Sequence, residues 1–493
     1  MKYKIFGAIS CAIVIFITSI NFTNLMHAKT SARIHQHLQA HKKTPCTAHS
    51  NDEFCTHLPL VMINTKGLEI PGKPVLEDGG KVSYTTAADG AKRITSEMAI
   101  IDSEETNNHT YDTPTITSNI AINVRGNSSR YFDKLGYRIK LITEDGENNP
   151  QSLMGMNAHH EWALHGPFLD KTLIRNYMWY NISGEIMDYA PNVRFCELFI
   201  NGEYQGVYAL VEIITAGKNG NRLNLSVNLK KNTFSGYLLI LDRIDGEEDN
   251  RVPSFTTYTL RTKMKLEIAY PGTSNLTPEM LKMIKEDFST FEKALYSYDY
   301  DNKKYGYTRF IDVDSFVDYF LINELTCNYD AGWLSTYIYK DISRKLRMCV
   351  WDFNSACDNY QETVINPFDF QMQNCIWYFM LMKDDNFTEK IIKRYWELRK
   401  TFFSEEYLEN YINSTIEYLG PAIERNYEKW GYSFEKEYDM VIPSERNLRS
   451  YDEAVEQMKN FLKKRIEWLD ENIEALKQYS AESRVKKFNE NAN

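Results

Sequence analysis

Cysteine is scarce in this chain, eight in 493 residues, far below the density of a disulfide-built scaffold. No CxxC pair or Cys/His cluster has metal-ligand spacing, which argues against structural zinc. Basic residues are not in excess. Against 67 Asp and Glu stand 57 Lys and Arg, a net charge of −10, and a general nucleic-acid binder would show the opposite field. Beyond residue 20 no apolar run approaches the roughly 20 residues of a membrane span. There is no internal repeat and no low-complexity block. What is present is 43% hydrophobic, 25% charged and 13% aromatic, which excludes a mainly disordered or fibrous chain. The length suits about two to four domains or one large bilobal unit. Composition leaves a soluble globular protein, an enzyme or a large binding module.

The N-terminus points to export. Lys2 and Lys4 precede an apolar run over 5–20, and Met26-His27-Ala28 offers an imperfect cleavage site. Residues 1–28 therefore read as a signal peptide, with an uncleaved anchor as the alternative; either way the body is exported. Cys11 lies in the apolar run without the small-residue context of a lipidated cysteine. Seven cysteines follow Ala28: Cys46, Cys55, Cys196, Cys327, Cys349, Cys357 and Cys375. Cys46 and Cys55 could close a small loop, and an odd total leaves at least one thiol unpaired. Residues 29–57 are polar and His-rich and read as a solvated linker, with metal binding by His35, His37, His41 and His49 as the lesser alternative.

Strands come first along the chain and helices last. Short β-branched and aromatic runs at 60–63, 116–124, 137–142, 194–200, 204–212 and 237–241 predict a sheet, with Asn201-Gly202 at a hairpin tip. One helix interrupts it over 171–187, capped by Asp170. From Pro278 the periodicity predicts amphipathic helices at 278–297, 312–327, 386–403, 405–431 and 452–478. The stripe Val455, Met458, Leu462, Ile466, Leu469, Ile473 and Leu476 reads as packing on the protein's own body. The expected fold is α+β, with a β-rich half at 58–275 and a helical half at 276–493.

Three stretches could carry chemistry. In the first, Val124 to Arg130 (VRGNSSR) is a strand and small-residue turn, with Lys134, Arg138 and Lys140 following. Its backbone N–H groups and cations could cradle phosphate, or it is a turn with solvated charges. The second runs from Asn323 to Asp330, and the third from Met348 to Asn354. Asp330 and Asp352 each end an apolar element, and a hairpin over 336–340 and 345–350 would bring them together. Such a pair suits metal-assisted phosphoryl transfer or glycoside hydrolysis, and helix-end and turn aspartates would look the same.

The ordered set 58–64, 124–141, 162–176, 193–212, GYLLILDR at 236–243, 316–330, 336–341 and 350–354 resembles the spore coat protein H (CotH) kinase family, secreted atypical protein kinases. The resemblance implies a kinase-like bilobal fold using ATP and Mg²⁺ or Mn²⁺. It implies Asp330 as catalytic aspartate, Asp352 as metal-binding aspartate and Lys140 as the α/β-phosphate lysine. Arg125, Gly126, Asn127, Ser128 and Ser129 would form the phosphate-covering loop, and Glu212 would sit near the adenine-binding hinge. Glu185 is an available acid on the helix, without a clear match to the partner of Lys140.

Two departures stand out. The family pattern places Asn five residues after the catalytic Asp, and this chain has Ser335; the second Asp of Trp-Asp-x-Asp is here Asn354. Both replacements are weaker metal ligands. The implied reading is an exported kinase whose partners are ATP and a protein with Ser/Thr acceptors, including itself, with no nucleic acid, and a membrane only if residues 1–28 stay attached. Transfer of AMP instead of phosphate stays open. The alternative is a pseudokinase serving as a binding or assembly module of the spore coat or cell envelope. A carbohydrate-active protein, suggested by 33 Tyr and 8 Trp, ranks below both.

Overall fold

The structure is a computed structural model describing residues 33–39, 53–77, 79–217, 222–226, 235–243, 250–255 and 264–480. The chain divides into Met1–Ile34 and His35–Asn493, and every element below belongs to the second unit. It is mixed α+β, as the strand and helix periodicities require.

Seven strands close into a barrel: β1 (Leu60–Asn64), β2 (Ile94–Ile101), β3 (Ile116–Arg125), β4 (Gly136–Ile142), β5 (Glu161–His165), β6 (Val193–Ile200) and β7 (Glu203–Glu212). Their order is β5-β7-β6-β1-β2-β3-β4, returning to β5, and only β6 and β1 pair in parallel. Period-2 alternation fills the interior: Ile120, Ile122 and Val124 of β3 meet Tyr137, Ile139 and Leu141 of β4. Each fully buried aliphatic contributes about 1.5–3 kcal/mol. Two barrel strands escaped the sequence reading. In β2 the inward row Ile94, Met98 and Ile100 is broken by Ser96, itself only 2% exposed, so the alternation is masked. Glu161–His165 is too short for a periodicity to register. The expected hairpin is present, with Asn201 and Gly202 both at positive φ between β6 and β7.

Helix α1 (Arg175–Ile186) packs on the outer barrel wall, where Tyr177 stacks on Phe195 at 4.1 Å. All its residues but Glu185 are buried, which is why it shows little amphipathic stripe. It starts later than the expected 171, because Asp170 organises a turn first. The carboxylate accepts from Thr172 N and from Arg175 N.

A second sheet is antiparallel throughout: β8 (Tyr237–Asp242), β9 (Arg251–Val252), β10 (Lys265–Tyr270), β11 (Thr336–Lys340) and β12 (Arg347–Cys349), in the order β9-β10-β8-β11-β12. The division expected at residues 275 and 276 does not follow the sheets, since β8 pairs with β11 across it. The expected hairpin over 336–350 is β11–β12.

The longer helices that follow are α2 (Pro278–Leu295), α3 (Val313–Thr326), α4 (Asp385–Leu398), α5 (Glu405–Leu419), α6 (Pro421–Trp430) and α7 (Tyr451–Asn472). Thr277, Asp312, Asp384, Ser404 and Ser450 cap five of them by accepting a first-turn N–H. The single helix expected over 405–431 is broken. Gly420 takes φ 45 and ψ −126, and Pro421 has no N–H to continue the ladder. The α7 stripe does pack on the protein's own core, as expected. Fully buried Arg465 of this helix pairs with Glu324 of α3 and also caps the Glu324 carbonyl.

The linker expectation fails at its described start. His35 bridges Tyr411 and Glu185, each at 2.9 Å, and His37 meets Tyr177 at 2.9 Å. The Gln36 side chain bonds both backbone groups of Phe195. These histidines are therefore buried docking groups, and Glu185 is engaged here instead of with Lys140. His41, His49, Cys46 and residues 1–28 lie outside the described residues. Among the described residues no helix is long and apolar enough to cross a membrane.

Candidate active site

Where the barrel rim faces the second sheet and the α3–β11 turn, a cavity of about 460 Å³ opens. That is within the roughly 300–1,000 Å³ of small-molecule sites. Two unlike walls line it.

The barrel wall is the end of β3 and the turn after it. Arg125, Gly126, Asn127, Ser128 and Ser129 all line the cavity. Gly126 has φ 109, and a Cβ there would lie 1.9 Å from Ser129 Oγ, so the turn admits glycine alone. Arg130 holds the turn from behind, its Nη1 donating to Gly72 O at 2.7 Å and its guanidinium lying over Tyr84 at 4.4 Å. The Arg125 guanidinium lies 5.1 Å over the Trp351 ring, directing its charge toward the neighbouring Asp352.

Lys140 does not line this cavity. On the outer face of β4, Gly136 is at the rim, and Arg138 and Lys140 follow at two-residue steps. At about 3.3 Å per residue, Lys140 starts some 13 Å along the strand from the rim position. Arg138 is occupied by Glu161 at 2.8 Å. The barrel cation brought to the cavity is Arg125, and Arg243, just after β8, lines it from the other side. Glu212 is also elsewhere: its carboxylate pairs with Arg222 at 2.7 Å and accepts from Asn192 N at 2.9 Å, both partners of the ion pair being buried, while its neighbour Val211 lines the cavity.

The opposite wall is acidic. Asp330 follows α3, whose last turn ends in Cys327 at φ 44. Asp352 follows β12 and itself takes φ 55, a left-handed conformation that short polar residues tolerate best. Helix α1 holds this bend with two side chains one turn apart. Asn176 Oδ1 accepts from Phe353 N at 2.8 Å, and Tyr180 Oη accepts from Asp352 N at 3.0 Å. Ser355 Oγ donates to Asp330 at 2.9 Å, tying the two stretches together as the hairpin expectation required. Behind them the buried Arg175 pairs with Asp170 at 2.5 Å and donates to Ala356 O.

Ser335 and Asn354 line the cavity as well. The Asn354 amide is used as a fastener: its Oδ1 accepts from Asn176 at 3.0 Å, and it hydrogen-bonds His165. Asn328 donates to the Asp352 carbonyl from behind and is not a lining group. A third carboxylate, Asp242 at the end of β8, belongs to the wall, and the exposed Glu362 lines the cavity too. Within GYLLILDR Asp242 carried no chemical signal of its own, because only the β8–β11 pairing shows that it faces Ser335.

Burial dominates the electrostatics of this wall. It pushes Asp330 up to about 6, with the Asp352 charge adding to it and Ser355 opposing. Asp352 and Asp242 are raised for the same reason, the first offset in part by Arg125. His165, buried and beside Arg125, falls to about 4 and is neutral. The donors are hard oxygens, which suit Mg²⁺ or Mn²⁺ and not a soft metal. Among the described residues no three acidic, His or Cys side chains enclose an ion by themselves. An ion here needs oxygens from a ligand, as Mg²⁺ does when phosphates complete its shell.

A mixed α+β protein with carboxylates facing a glycine-hinged, arginine-bearing turn is the class defined so far. The family model described as CotH kinase protein matches residues 122–469, and the chain belongs to that family. It is 23% identical over 367 residues to the inner spore coat protein H of Bacillus subtilis (strain 168), covering 72% of this chain and 88% of that protein.

Proposed function

We propose that this chain is an exported phosphotransferase that moves the terminal phosphate of ATP to Ser or Thr hydroxyls of coat or cell-surface proteins, its own chain included. The observation that carries this reading is the convergence of Arg125 and its turn with Asp330 and Asp352 in one cavity. The barrel with α1 would serve as one kinase-like lobe, and the second sheet with the helices as the other.

In this reading the N–H groups of 126–129 and the Arg125 guanidinium bind the phosphates, replacing the role expected of Lys140. Asp352 would hold Mg²⁺ or Mn²⁺, which when bound offsets the charge on the β- and γ-phosphates. Asp330 accepts the proton of the acceptor hydroxyl. The hydroxyl oxygen bonds to the γ-phosphorus as the bond to the β-phosphate oxygen breaks, and that electron pair leaves on ADP. Ser355 keeps Asp330 oriented.

The test is incubation of residues 29–493 with γ-labelled ATP, Mg²⁺ or Mn²⁺, and a Ser-rich acceptor. Label should appear on the acceptor or on the chain itself. Label that appears only from α-labelled ATP means AMP transfer. No transfer with either metal, despite measurable nucleotide binding, overturns the enzyme reading in favour of a pseudokinase.

A further inference from the structure

We propose that Asp242 is a ligand of the nucleotide-bound divalent cation, supplying the oxygen that position 335 no longer supplies. This rests on the phosphotransfer reading above and names a residue that neither carboxylate spacing nor the kinase resemblance marks.

The placement follows from sheet register. Leu241 of β8 pairs with Thr336 of β11, so the next position outward sets Asp242 against Ser335. There the two side chains touch, Ser335 Oγ lying 3.5 Å from Asp242 Oδ2. Ser335 has φ 48, so the chain turns away from the sheet at that residue. Ser335 itself lines the cavity, and its hydroxyl, shorter than an amide side chain, lies beside Asp242. The carboxylate oxygen beside the position that carries Ser335 is Asp242 Oδ2.

Asp242 has free capacity. Its Oδ1 accepts from Arg243 N at 2.7 Å, and the Ser335 backbone N–H also favours the carboxylate. Ser335 Oγ makes a long contact with Oδ2, which leaves lone pairs of the two oxygens for a cation. Among the described residues none of Asp242, Asp330 and Asp352 forms an ion pair, although all three line one cavity. Asn354 cannot fill the vacancy, since its oxygen is bonded to Asn176. Nor can Asn328, which stands behind the Asp352 backbone and outside the cavity lining. With Asp330 facing the acceptor and the remaining lining carboxylate, Glu362, exposed, Asp352 and Asp242 are the half-buried carboxylates left for the cation. Two carboxylates plus phosphate oxygens is the usual set for Mg²⁺. Since no protein cage exists among the described residues, the cation should bind together with nucleotide and not before it.

The probe is Mn²⁺, titrated into the full chain with and without adenosine 5′-(β,γ-imido)triphosphate and followed by electron paramagnetic resonance. The native chain should bind Mn²⁺ tightly only with the nucleotide. Asp242→Asn and Asp242→Ser should each weaken that binding at least tenfold, leaving metal-free nucleotide binding and the thermal midpoint unchanged. Adding Ser335→Asn to Asp242→Asn should recover most of the loss, because the new amide oxygen enters from the adjacent register position. Native-strength Mn²⁺ binding by Asp242→Asn, or no recovery in the double variant, overturns the role of Asp242 alone. A native chain that binds no Mn²⁺ with the nucleotide overturns the phosphotransfer reading, and this inference with it.

Discussion

The two walls of the cavity are built by different means. The barrel wall is backbone and one cation: a turn with a glycine at φ 109, carried on the end of a strand whose inner face is aliphatic. In the acidic wall Asp330 and Asp352 stand on irregular backbone, and Asp242 alone comes from a strand end. The Asp352 bend is held by hydrogen bonds from α1 and backed by a buried Asp170–Arg175 pair. A β-barrel rim is stiff because its ladder is closed, so little is needed to aim a turn. Turns following α3 and β12 have no ladder, so each bend is fixed by a named polar contact. The barrel wall should therefore govern nucleotide affinity and the acidic wall the chemical step. Their stability should depend on different interactions.

The largest expected effect tests the acidic wall directly. Asp352→Ala should lower transfer at least about 10³-fold, with metal-free nucleotide binding retained, when single-turnover label transfer is set beside nucleotide titration. If nucleotide affinity collapses equally, the walls do not divide the work. Next is the support behind that wall. Asp170→Ala leaves the Arg175 guanidinium buried without its carboxylate and should cost about 3–5 kcal/mol in denaturant unfolding. A cost near that of a surface pair, about 0–1 kcal/mol, would show the polar network to be dispensable.

Helix α1 is also braced from its far side, where His37 contacts Tyr177 and faces His35 and Tyr411, with Glu185 behind His35. Burial first, and His35 second, lower His37 from 6.5 to about 4. The unfolded chain therefore takes up the proton first as pH falls. Stability from the neutral ring is full above about 6.5 and is lost as pH falls toward 4. His37→Gln should remove up to about 3 kcal/mol of that pH dependence, read from unfolding midpoints across the window. An unchanged slope would detach this docking contact from α1.

Smaller effects belong to the barrel wall. Arg125→Met should weaken nucleotide binding about tenfold, whereas Lys140→Met should stay within about twofold, as read by calorimetry. The reverse ranking would return the phosphate contact to Lys140.

How legible the molecule was differs between these regions for the same reason. Strands with uninterrupted inward rows, such as 116–124 and 137–142, could be read directly, and so could the Asn-Gly hairpin. Ile94–Ile101 could not, because Ser96 occupies an inward position. The break at Gly420-Pro421 was written plainly in the dipeptide, yet the apolar spacing on both sides ran on and concealed it. In the site, Asp330 and Asp352 were visible as acids ending apolar elements on either side of a hairpin. Lys140 was placed by its position after a small-residue loop, and strand geometry carries it away from the rim. Asp242 was invisible as a site residue because its neighbour in space, Ser335, lies 93 residues away in sequence.

By itself the sequence carried the family resemblance, the α+β character and two aspartates that a hairpin could bring together. The α+β character follows from local periodicity, and the resemblance from an ordered set of motifs along the chain. Only the tertiary structure decided that the barrel closes, that α1 clamps the Asp352 bend, that Arg125 and not Lys140 faces the acids, and that Asp242 joins them. Each of those depends on which strand lies beside which, and pairing at long range is set by burial of whole faces, which no local window of residues contains.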